Sequence, residues 1–261
     1  MKVVVFDLDE TLGYFVEFGI FWDSLSRQLS EISSTKLTQD EFNRILDLYP
    51  EFLRPNIHNI LNYLKTKKIN GSCEKVMIYT NNQGPKSWAQ QLVHYFESKL
   101  KYNLFDQIVC AFKVNGRRIE PNRTSHDKSY GDLINCSNTK IPSNAEICFL
   151  DDNYFPEMSH DNVYYIYVKP YKHDLDYNVM ISRLTNSRIL EYGLQEEEEL
   201  LQRMKTFHYK YTIKEDAEYE DDKIISKDIL SYLRVFFNFR PKNKTSKKKP
   251  ARKANKTAKR Y

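Results

Sequence analysis

The sequence predicts an α/β fold with a parallel sheet, and two observations lead to this prediction. Short apolar runs of strand length alternate along the chain with longer segments in which apolar residues recur at helical spacing. These runs are apolar throughout, which is typical of strands buried on both faces of a parallel sheet. Several of them end directly in Asp or Thr. Because ligands bind at the carboxyl ends of strands in open α/β sheets, we expect a polar site at that edge.

The predicted elements begin with a buried strand at residues 3–6. Apolar residues at helical spacing between 18 and 48 predict two helices, which would form a small cap or an edge layer. Thr38 and Glu41 have the spacing of a capping box that opens the second of them. The other predicted segments are helices at 57–64 and 87–100, strands at 76–79, 105–112, 147–150 and 164–168, and a turn at 115–116.

Composition divides the chain into three parts. Residues 1–175 hold the alternating strands and helices of one domain, with 18–50 as a small helical cap insertion. Residues 176–239 predict a helical C-terminal extension. Its helices, at 190–207 and 224–239, would be joined by an acidic stretch at 215–222.

The third part is a basic tail at residues 240–261. It carries eleven Lys and Arg and no Asp or Glu, so the chain before it is net acidic although the whole chain has a formal net charge of +5. We expect this tail to be disordered because it has no apolar face. Its expected roles are nuclear import, nonspecific nucleic-acid contact through residues 242–260, or solubility alone.

Several classes of protein are disfavoured by the composition. No apolar run approaches the ~20 residues of a membrane-spanning helix, and the early first strand leaves no room for a signal peptide. The four cysteines are widely spaced, without the paired spacing of a zinc site. We therefore expect an intracellular protein, nuclear or cytoplasmic and not secreted, with reduced thiols and no membrane contact.

Asp7 and Asp9 are the strongest candidates for chemistry. They follow the first strand two residues apart, and residues i and i+2 of a strand share a face. Two adjacent carboxylates repel each other unless a cation or a shared proton intervenes. Such a pair can bind Mg²⁺, attack phosphorus, or divide the roles of nucleophile and acid. The alternative interpretation is a solvated acidic turn.

Three later segments add candidate residues of complementary type. A hydroxyl and free backbone N–H groups after the second strand can hold phosphate oxygens. A lysine can neutralise charge on a transferred group, and carboxylates after the fourth strand can hold a metal ion. The candidates are Thr80 and Asn81, then Lys128 with Lys113 as its competitor, and finally Asp151 and Asp152.

The string Asp-Leu-Asp-Glu-Thr-Leu at residues 7–12 resembles the first motif of the haloacid dehalogenase (HAD) superfamily. More narrowly, it is similar to the signature of the RNA polymerase carboxy-terminal-domain phosphatases, also called NLI-interacting-factor-like. The strand that ends at Thr80, Lys128 with Leu133 after it, and Asp151-Asp152 resemble motifs two to four in the same order. The resemblance covers residues 3–171.

A further segment carries the narrower resemblance, with departures. Leu53-Arg54-Pro55 resembles the segment that precedes the second motif in these phosphatases, where Asn56 replaces the usual Gly. Arg54 would be a structural or phosphate-edge residue. The fourth motif usually reads Asp-Asn and here reads Asp-Asp-Asn, so either register of its carboxylates is possible.

The resemblance implies a HAD-like Rossmannoid sheet and a set of residue roles. Asp7 would be the nucleophile that forms an aspartyl-phosphate, and Asp9 the general acid and base. Thr80, Asn81 and Lys128 would bind the substrate phosphate. Mg²⁺ would be held by Asp7, by Asp9 through its carbonyl, and by Asp151 or Asp152.

The function that follows is an Mg²⁺-dependent phosphomonoester hydrolase. A phosphoprotein is the favoured substrate, with phosphoserine foremost, because the resemblance is to protein phosphatases. One alternative is a nucleic-acid 3′-end phosphatase, which the basic tail would suit. The other is a binding protein that keeps the HAD fold without turnover.

Overall fold

The computed structural model describes residues 1–33, 36–190, 196–210 and 214–238. Within these ranges, five parallel strands form one sheet, in the order Gln107–Val109, Lys75–Tyr79, Lys2–Phe6, Glu146–Asp151 and Val163–Tyr167. Helices pack on both of its faces, as in Rossmann-like folds, so the predicted α/β class is confirmed. The predicted basic tail and residue 239 lie outside the described residues.

The strands are β1 (Lys2–Phe6), β2 (Lys75–Tyr79), β3 (Gln107–Val109), β4 (Lys113–Val114), β5 (Arg117–Arg118), β6 (Glu146–Asp151) and β7 (Val163–Tyr167). The helices are α1 (Val16–Ser33), α2 (Gln39–Leu46), α3 (Ile57–Ile69), α4 (Lys86–Leu100), α5 (Tyr130–Cys136), α6 (Tyr177–Ser187), α7 (Glu197–Lys205) and α8 (Asp216–Asn238).

The order of the strands places a crevice beside β1. The chain starts at the centre of the sheet, builds outward through β2 and β3, and then returns to the other side of β1 for β6 and β7. Phe6 pairs with Ile78 on one side and with Leu150 on the other, so β1, β2 and β6 end nearly level. The strand order reverses between β1 and β6, and ligands bind at such a switch point in open α/β sheets.

The two faces of the sheet bury alternate residues of the same strands, as the pleat requires. Val4 and Phe6 belong to the larger core, which most of the helices cover. Val3 and Val5 belong to a smaller core, to which α5 contributes Leu133. Because β1 is buried on both faces, its direction and its end point are fixed by packing from two sides.

Residues 18–50 share the main core with the sheet. Phe18 of α1 lies 5.4 Å from Phe42 of α2 and 5.9 Å from Trp88 of α4, measured between ring centroids. The capping box of Thr38 and Glu41 is present at the start of α2, as predicted. The buried residues of these two helices belong to the same hydrophobic core as the sheet, and the described residues contain no separate core for them. They therefore pack as a layer on the sheet domain.

The C-terminal extension differs from the sequence prediction in two places. Helix α6 was not predicted; it begins after Asp176, whose side chain accepts a hydrogen bond from the backbone N–H of Asn178 at 2.8 Å. The acidic stretch at 215–222, predicted as a connection, is the first part of α8. Carboxylates near a helix N-terminus interact favourably with the helix dipole, so an acidic stretch can begin a helix. A prediction based on the periodicity of apolar residues misses such a start. As predicted, α8 docks on the body, where it buries Leu233 and Phe236.

Two smaller elements complete the fold. The predicted strand at 105–112 is only three residues long, β3, at the edge of the sheet. The turn at Asn115 and Gly116 is confirmed: both residues have positive φ angles, 49° and 76°, and they join β4 to β5 as a hairpin. No helix among the described residues has the length and apolar character needed to cross a membrane.

Candidate active site

Asp7 is the first residue after β1, at the crevice between β1 and β6. Its backbone N–H donates to the carbonyl oxygen of Leu150 at 2.8 Å, so the backbone register of the sheet extends to it. Carboxylate oxygens of Asp7, Asp151 and Asp152 all lie within 4.8 Å of one another. The two strand ends therefore bring three buried carboxylates to one point.

Lys128 is buried between two of these carboxylates. Its Nζ atom contacts Asp7 and lies 2.6 Å from Oδ2 of Asp151. Burial alone would lower the pKa of the Lys128 amine, but the two carboxylates outweigh it and raise that pKa above its usual value. Lys128 is thus a cation at the centre of the site. Lys113, its competitor in the sequence, lies exposed in β4.

Asp151 and Asp152 are each held by a different set of donors. The backbone N–H of Asn153 donates to Oδ1 of Asp151 at 2.8 Å. Asp152 accepts from the Thr11 hydroxyl at 3.1 Å through Oδ1 and from the Asn153 amide at 2.9 Å through Oδ2. These hydrogen bonds fix the two side chains in distinct positions, so the adjacent carboxylates are not equivalent.

Asp9 lies apart from the three-carboxylate group and has a different environment. Its Oδ2 accepts a hydrogen bond from the side chain of Asn82 at 2.7 Å, while its Oδ1 is buried without a hydrogen-bond partner among the described residues. Burial first, and the charge of Asp7 second, raise the pKa of the Asp9 carboxyl to about 7. A carboxyl with that pKa exchanges a proton near neutral pH.

Thr80 and Asn81 follow β2 at the same edge of the sheet. The Thr80 hydroxyl accepts from the backbone N–H of Asn82 at 3.0 Å. The Asn81 side chain accepts from the Arg123 guanidinium at 2.8 Å, and Arg123 also donates to the carbonyl oxygens of Thr80 and His126. Arg123 is fully buried, so it ties the end of β2 to the segment that carries Lys128.

Arg54 has a structural role at the loop that follows Asp7. Its guanidinium donates to the carbonyl oxygens of Thr11 at 2.6 Å, Glu10 at 2.5 Å and Lys169 at 2.9 Å. Glu10 has a φ angle of 58°, a conformation that needs support from its surroundings. Gly13 closes this loop where no side chain fits, because a Cβ atom there would meet the carbonyl oxygen of Phe52 at 2.5 Å.

The predicted site residues come together around one pocket of about 460 Å³. Six of them line it, and the seventh, Asp151, is buried and accepts a hydrogen bond from Lys128, which is one of the six. The six are Asp7, Asp9, Thr80, Asn81, Lys128 and Asp152.

Sequence reasoning missed four residues that support this site. Thr11, Asn82 and Asn153 directly follow or close the motifs, and a search for polar residues beside each strand end would have found them. Arg123 carries no such signal, because it lies in a polar loop with other Arg residues nearby.

The residue set fits a divalent cation that prefers oxygen ligands. Three carboxylates, those of Asp7, Asp151 and Asp152, lie close together beside one buried cation, Lys128, and the Asp9 carboxyl lines the same pocket. This leaves an excess of negative charge in a buried place, which a bound cation or protons must balance. Carboxylate oxygens are the protein ligands that Mg²⁺ uses.

Comparisons of the chain with models of known protein families, with curated proteins and with solved structures found no match. The fold and the site define the protein as an α/β protein with a Rossmann-like parallel sheet. A buried cluster of carboxylates and one lysine lies at the switch point of that sheet. Its function has to be argued from the chemistry of that cluster.

Proposed function

We propose that this protein is a HAD-type phosphomonoester hydrolase that depends on Mg²⁺ and acts through an aspartyl-phosphate on Asp7. One observation carries the proposal. Asp7 contacts the Lys128 cation at the sheet switch point, while the Asp9 carboxyl, two residues further on, lines the same pocket and accepts a hydrogen bond from the Asn82 side chain instead. A nucleophile beside a cation and a separate proton donor are the two groups that phosphate-ester cleavage by covalent catalysis requires.

In the first step, a carboxylate oxygen of Asp7 attacks phosphorus and the ester P–O bond breaks. The protonated carboxyl of Asp9 gives its proton to the leaving oxygen, which departs as an alcohol. Lys128 and the Thr80 hydroxyl hold the oxygens of the transferred group and offset its negative charge. The phosphoryl group is then bonded to Asp7.

In the second step, water attacks the phosphorus of the aspartyl-phosphate. The Asp9 carboxylate accepts a proton from this water, the bond from phosphorus to Asp7 breaks, and inorganic phosphate leaves. Asp7 is again a free carboxylate and Asp9 is again protonated, so both groups are ready for another cycle.

Asp7, Asp151 and Asp152, with the backbone carbonyl of Asp9, would hold Mg²⁺. When bound, the ion supplies positive charge that lowers the repulsion between the Asp7 carboxylate and the phosphate. The hydrogen bonds of Thr11 and Asn153 to Asp152 would keep that carboxylate in place as a ligand.

A phosphoprotein is the proposed substrate, with phosphoserine foremost. Support comes from the resemblance of residues 3–171 to protein phosphatases. The lining of the pocket also agrees with it, because none of its residues belongs to α1 or α2.

The test is hydrolysis of an aryl phosphate by the purified chain, with and without Mg²⁺, for the wild type and for Asp7→Asn. The amide is nearly isosteric but does not attack phosphorus, so we expect turnover to fall by at least about 10³-fold. Asp40→Asn, at an exposed position in α2, is the matched control and should keep full activity. Thermal melting checks that the variants fold. Turnover of Asp7→Asn within tenfold of wild type, or full activity in EDTA, contradicts the proposal.

A further inference from the structure

A second pocket, of about 490 Å³, adjoins the catalytic pocket. Pro170 and Lys172 line both, so the two pockets share a wall. Other residues that line the second pocket belong to the C-terminal extension, among them Tyr209 and Lys210. We call it the lysine pocket, after Lys169, Lys172 and Lys210.

Within the described part of the chain, the amines of the lysine pocket have only weak partners. Lys169 and Lys172 are exposed, and their nearest carboxylates, those of Asp221 and Glu10, lie 3.9 and 3.6 Å away, beyond hydrogen-bonding distance. Exposed ion pairs of this kind contribute little, so an incoming anion can replace them at small cost. Lys210 is exposed as well.

Lys214, the fourth lysine of this pocket, already has strong partners within the protein. It pairs with the buried carboxylate of Asp222 and donates to the carbonyl oxygen of Lys172 at 2.7 Å. Its charge is therefore used within the protein. Its contribution is to hold the backbone that carries Lys172.

The lysine-bearing loop is tied to the loop that follows Asp7. The backbone N–H of Tyr171 donates to the carbonyl oxygen of Glu10 at 2.8 Å. The Arg54 guanidinium donates to the carbonyl oxygens of both Glu10 and Lys169. Lys169 and Lys172 are thus carried on a backbone whose position relative to Asp7 is fixed, which reduces the entropy cost of binding a second group at a set distance from the first.

Resting on the proposed function, we propose that the lysine pocket is a substrate subsite. It binds an anionic side chain of the phosphopeptide, one that lies near the phosphoserine to be hydrolysed. The feature that such ligands share is a negative charge within reach of three ammonium groups. This charge can be the carboxylate of an Asp or Glu or the phosphate of a second phosphoserine.

Charge favours a peptide over a nucleic acid as this ligand. The lysine pocket suits one discrete anion, because carboxylates of Glu10, Asp174 and Glu218 border the same region. Outside its basic tail the chain is net acidic. A nucleic-acid strand presents a phosphate at every nucleotide and is bound by extended basic surfaces.

The experiment compares kcat/KM for phosphoserine peptides that differ at one position. The full chain is given peptides with Glu, a second phosphoserine or Gln at successive offsets on both sides of the reacting phosphoserine. An aryl phosphate and a 3′-phosphorylated oligonucleotide complete the panel. We expect about a tenfold preference for the anion over Gln at one offset, and a smaller preference at high salt.

The variants separate the lysine pocket from general effects of charge. The double variant Lys169→Ala with Lys210→Ala should reduce the preference for the anionic peptide to less than about twofold. The control is Lys140→Ala with Lys227→Ala, which makes the same charge change at exposed positions elsewhere and should leave that preference intact. Lys169→Glu with Lys210→Glu should reverse the preference, so that a peptide with Lys at that offset becomes the better substrate. Thermal melting checks the fold of each variant.

Each outcome decides one of the two proposals. No hydrolysis of the aryl phosphate or of any peptide contradicts the proposed function, and the subsite fails with it. Hydrolysis of phosphoserine without an anion preference at any offset, or a preference that survives in the Ala variant, overturns the subsite alone. An oligonucleotide that is the better substrate, and that loses its advantage in the Ala variant, overturns the peptide assignment. A preference for phosphoserine without one for Glu identifies phosphate as the source of the charge.

Discussion

Asp7 and Asp9 are the same residue type two positions apart, yet their surroundings differ. Asp7 contacts the buried Lys128 cation. Asp9 instead accepts one hydrogen bond from Asn82, and burial together with the charge of Asp7 raises the pKa of its carboxyl to about 7. Different environments for paired carboxylates are how one site provides both a nucleophile and an acid.

At this scale we predict that Asp9→Asn loses activity in a way that depends on the leaving group. A general acid contributes typically ~10²–10⁴-fold, and a leaving group that departs readily as an anion needs no proton. The measurement is kcat/KM for a series of aryl and alkyl phosphates whose alcohols differ in pKa. The loss should be largest for alkyl esters and smallest for nitrophenyl esters; equal losses across the series would show that Asp9 is not the acid.

At the scale of the element, the start of α1 contains a buried carboxyl that the proposed mechanism does not use. Glu17 is buried in the first turn of α1, and its Oε2 accepts from the backbone N–H of Leu175 at 2.7 Å. Its Oε1 has no hydrogen-bond partner within the described part of the chain. Burial, followed by the charges of Asp174 and Asp176, raises the pKa of the Glu17 carboxyl to about 8.

This pKa makes stability depend on pH, and the sign follows from linkage. The carboxyl has a pKa of 4.5 in its ordinary state and about 8 in the fold. Between these values the folded state keeps a proton that the unfolded state releases. The stabilising contribution of Glu17 to the free energy of unfolding is therefore fully present below pH 4.5 and is lost as the pH rises toward 8.

We predict that Glu17→Gln removes this loss. The neutral amide can still accept a hydrogen bond from the backbone N–H of Leu175. As the pH rises from 5 to 8, the free energy of unfolding of the variant should therefore increase relative to that of the wild type by about 1–3 kcal/mol. The measurement is denaturant unfolding at several pH values, with the exposed Glu74→Gln as the control. A constant difference between Glu17→Gln and wild type across this range would contradict the assignment.

For the whole molecule, the C-terminal extension is part of the same core as the sheet. Leu200 and Met204 of α7 and Leu233 and Phe236 of α8 belong to the main core cluster. Tyr209 and Lys210, which lie between these helices, line the lysine pocket. The extension therefore contributes to stability and to the surroundings of the candidate active site.

We predict that the described body unfolds as one cooperative unit that includes α8. Leu233→Ala removes a fully buried side chain and should lower the free energy of unfolding by about 2–5 kcal/mol. Val235→Ala, at a half-exposed position two residues on, should change it by about 0.5 kcal/mol or less. The measurement is thermal and denaturant unfolding followed by far-UV circular dichroism and tryptophan fluorescence. Two separate transitions, with only one shifted by Leu233→Ala, would show that α8 folds independently of the sheet.

The sequence by itself determined the elements whose signals are local. The apolar runs of β1, β2 and β6 and the polar residues at their ends are contiguous in the chain, so the α/β class and the meeting of Asp7, Thr80 and Asp151 at one edge followed from strand geometry. Helix α6 and the acidic start of α8 gave weaker signals, because short or charged helices depend on capping and docking more than on apolar periodicity.

The tertiary structure alone decided the contacts between distant segments. Arg123 has no local signal, and only the fold buries it within hydrogen-bonding distance of Thr80 and Asn81. Lys172 and Lys210 are far apart in the chain and meet only because the C-terminal extension packs beside the loop after β7. The physical reason is that burial and the distance between charges depend on three-dimensional packing. Apolar periodicity and the residues at strand ends, in contrast, depend only on residues that are neighbours in the sequence.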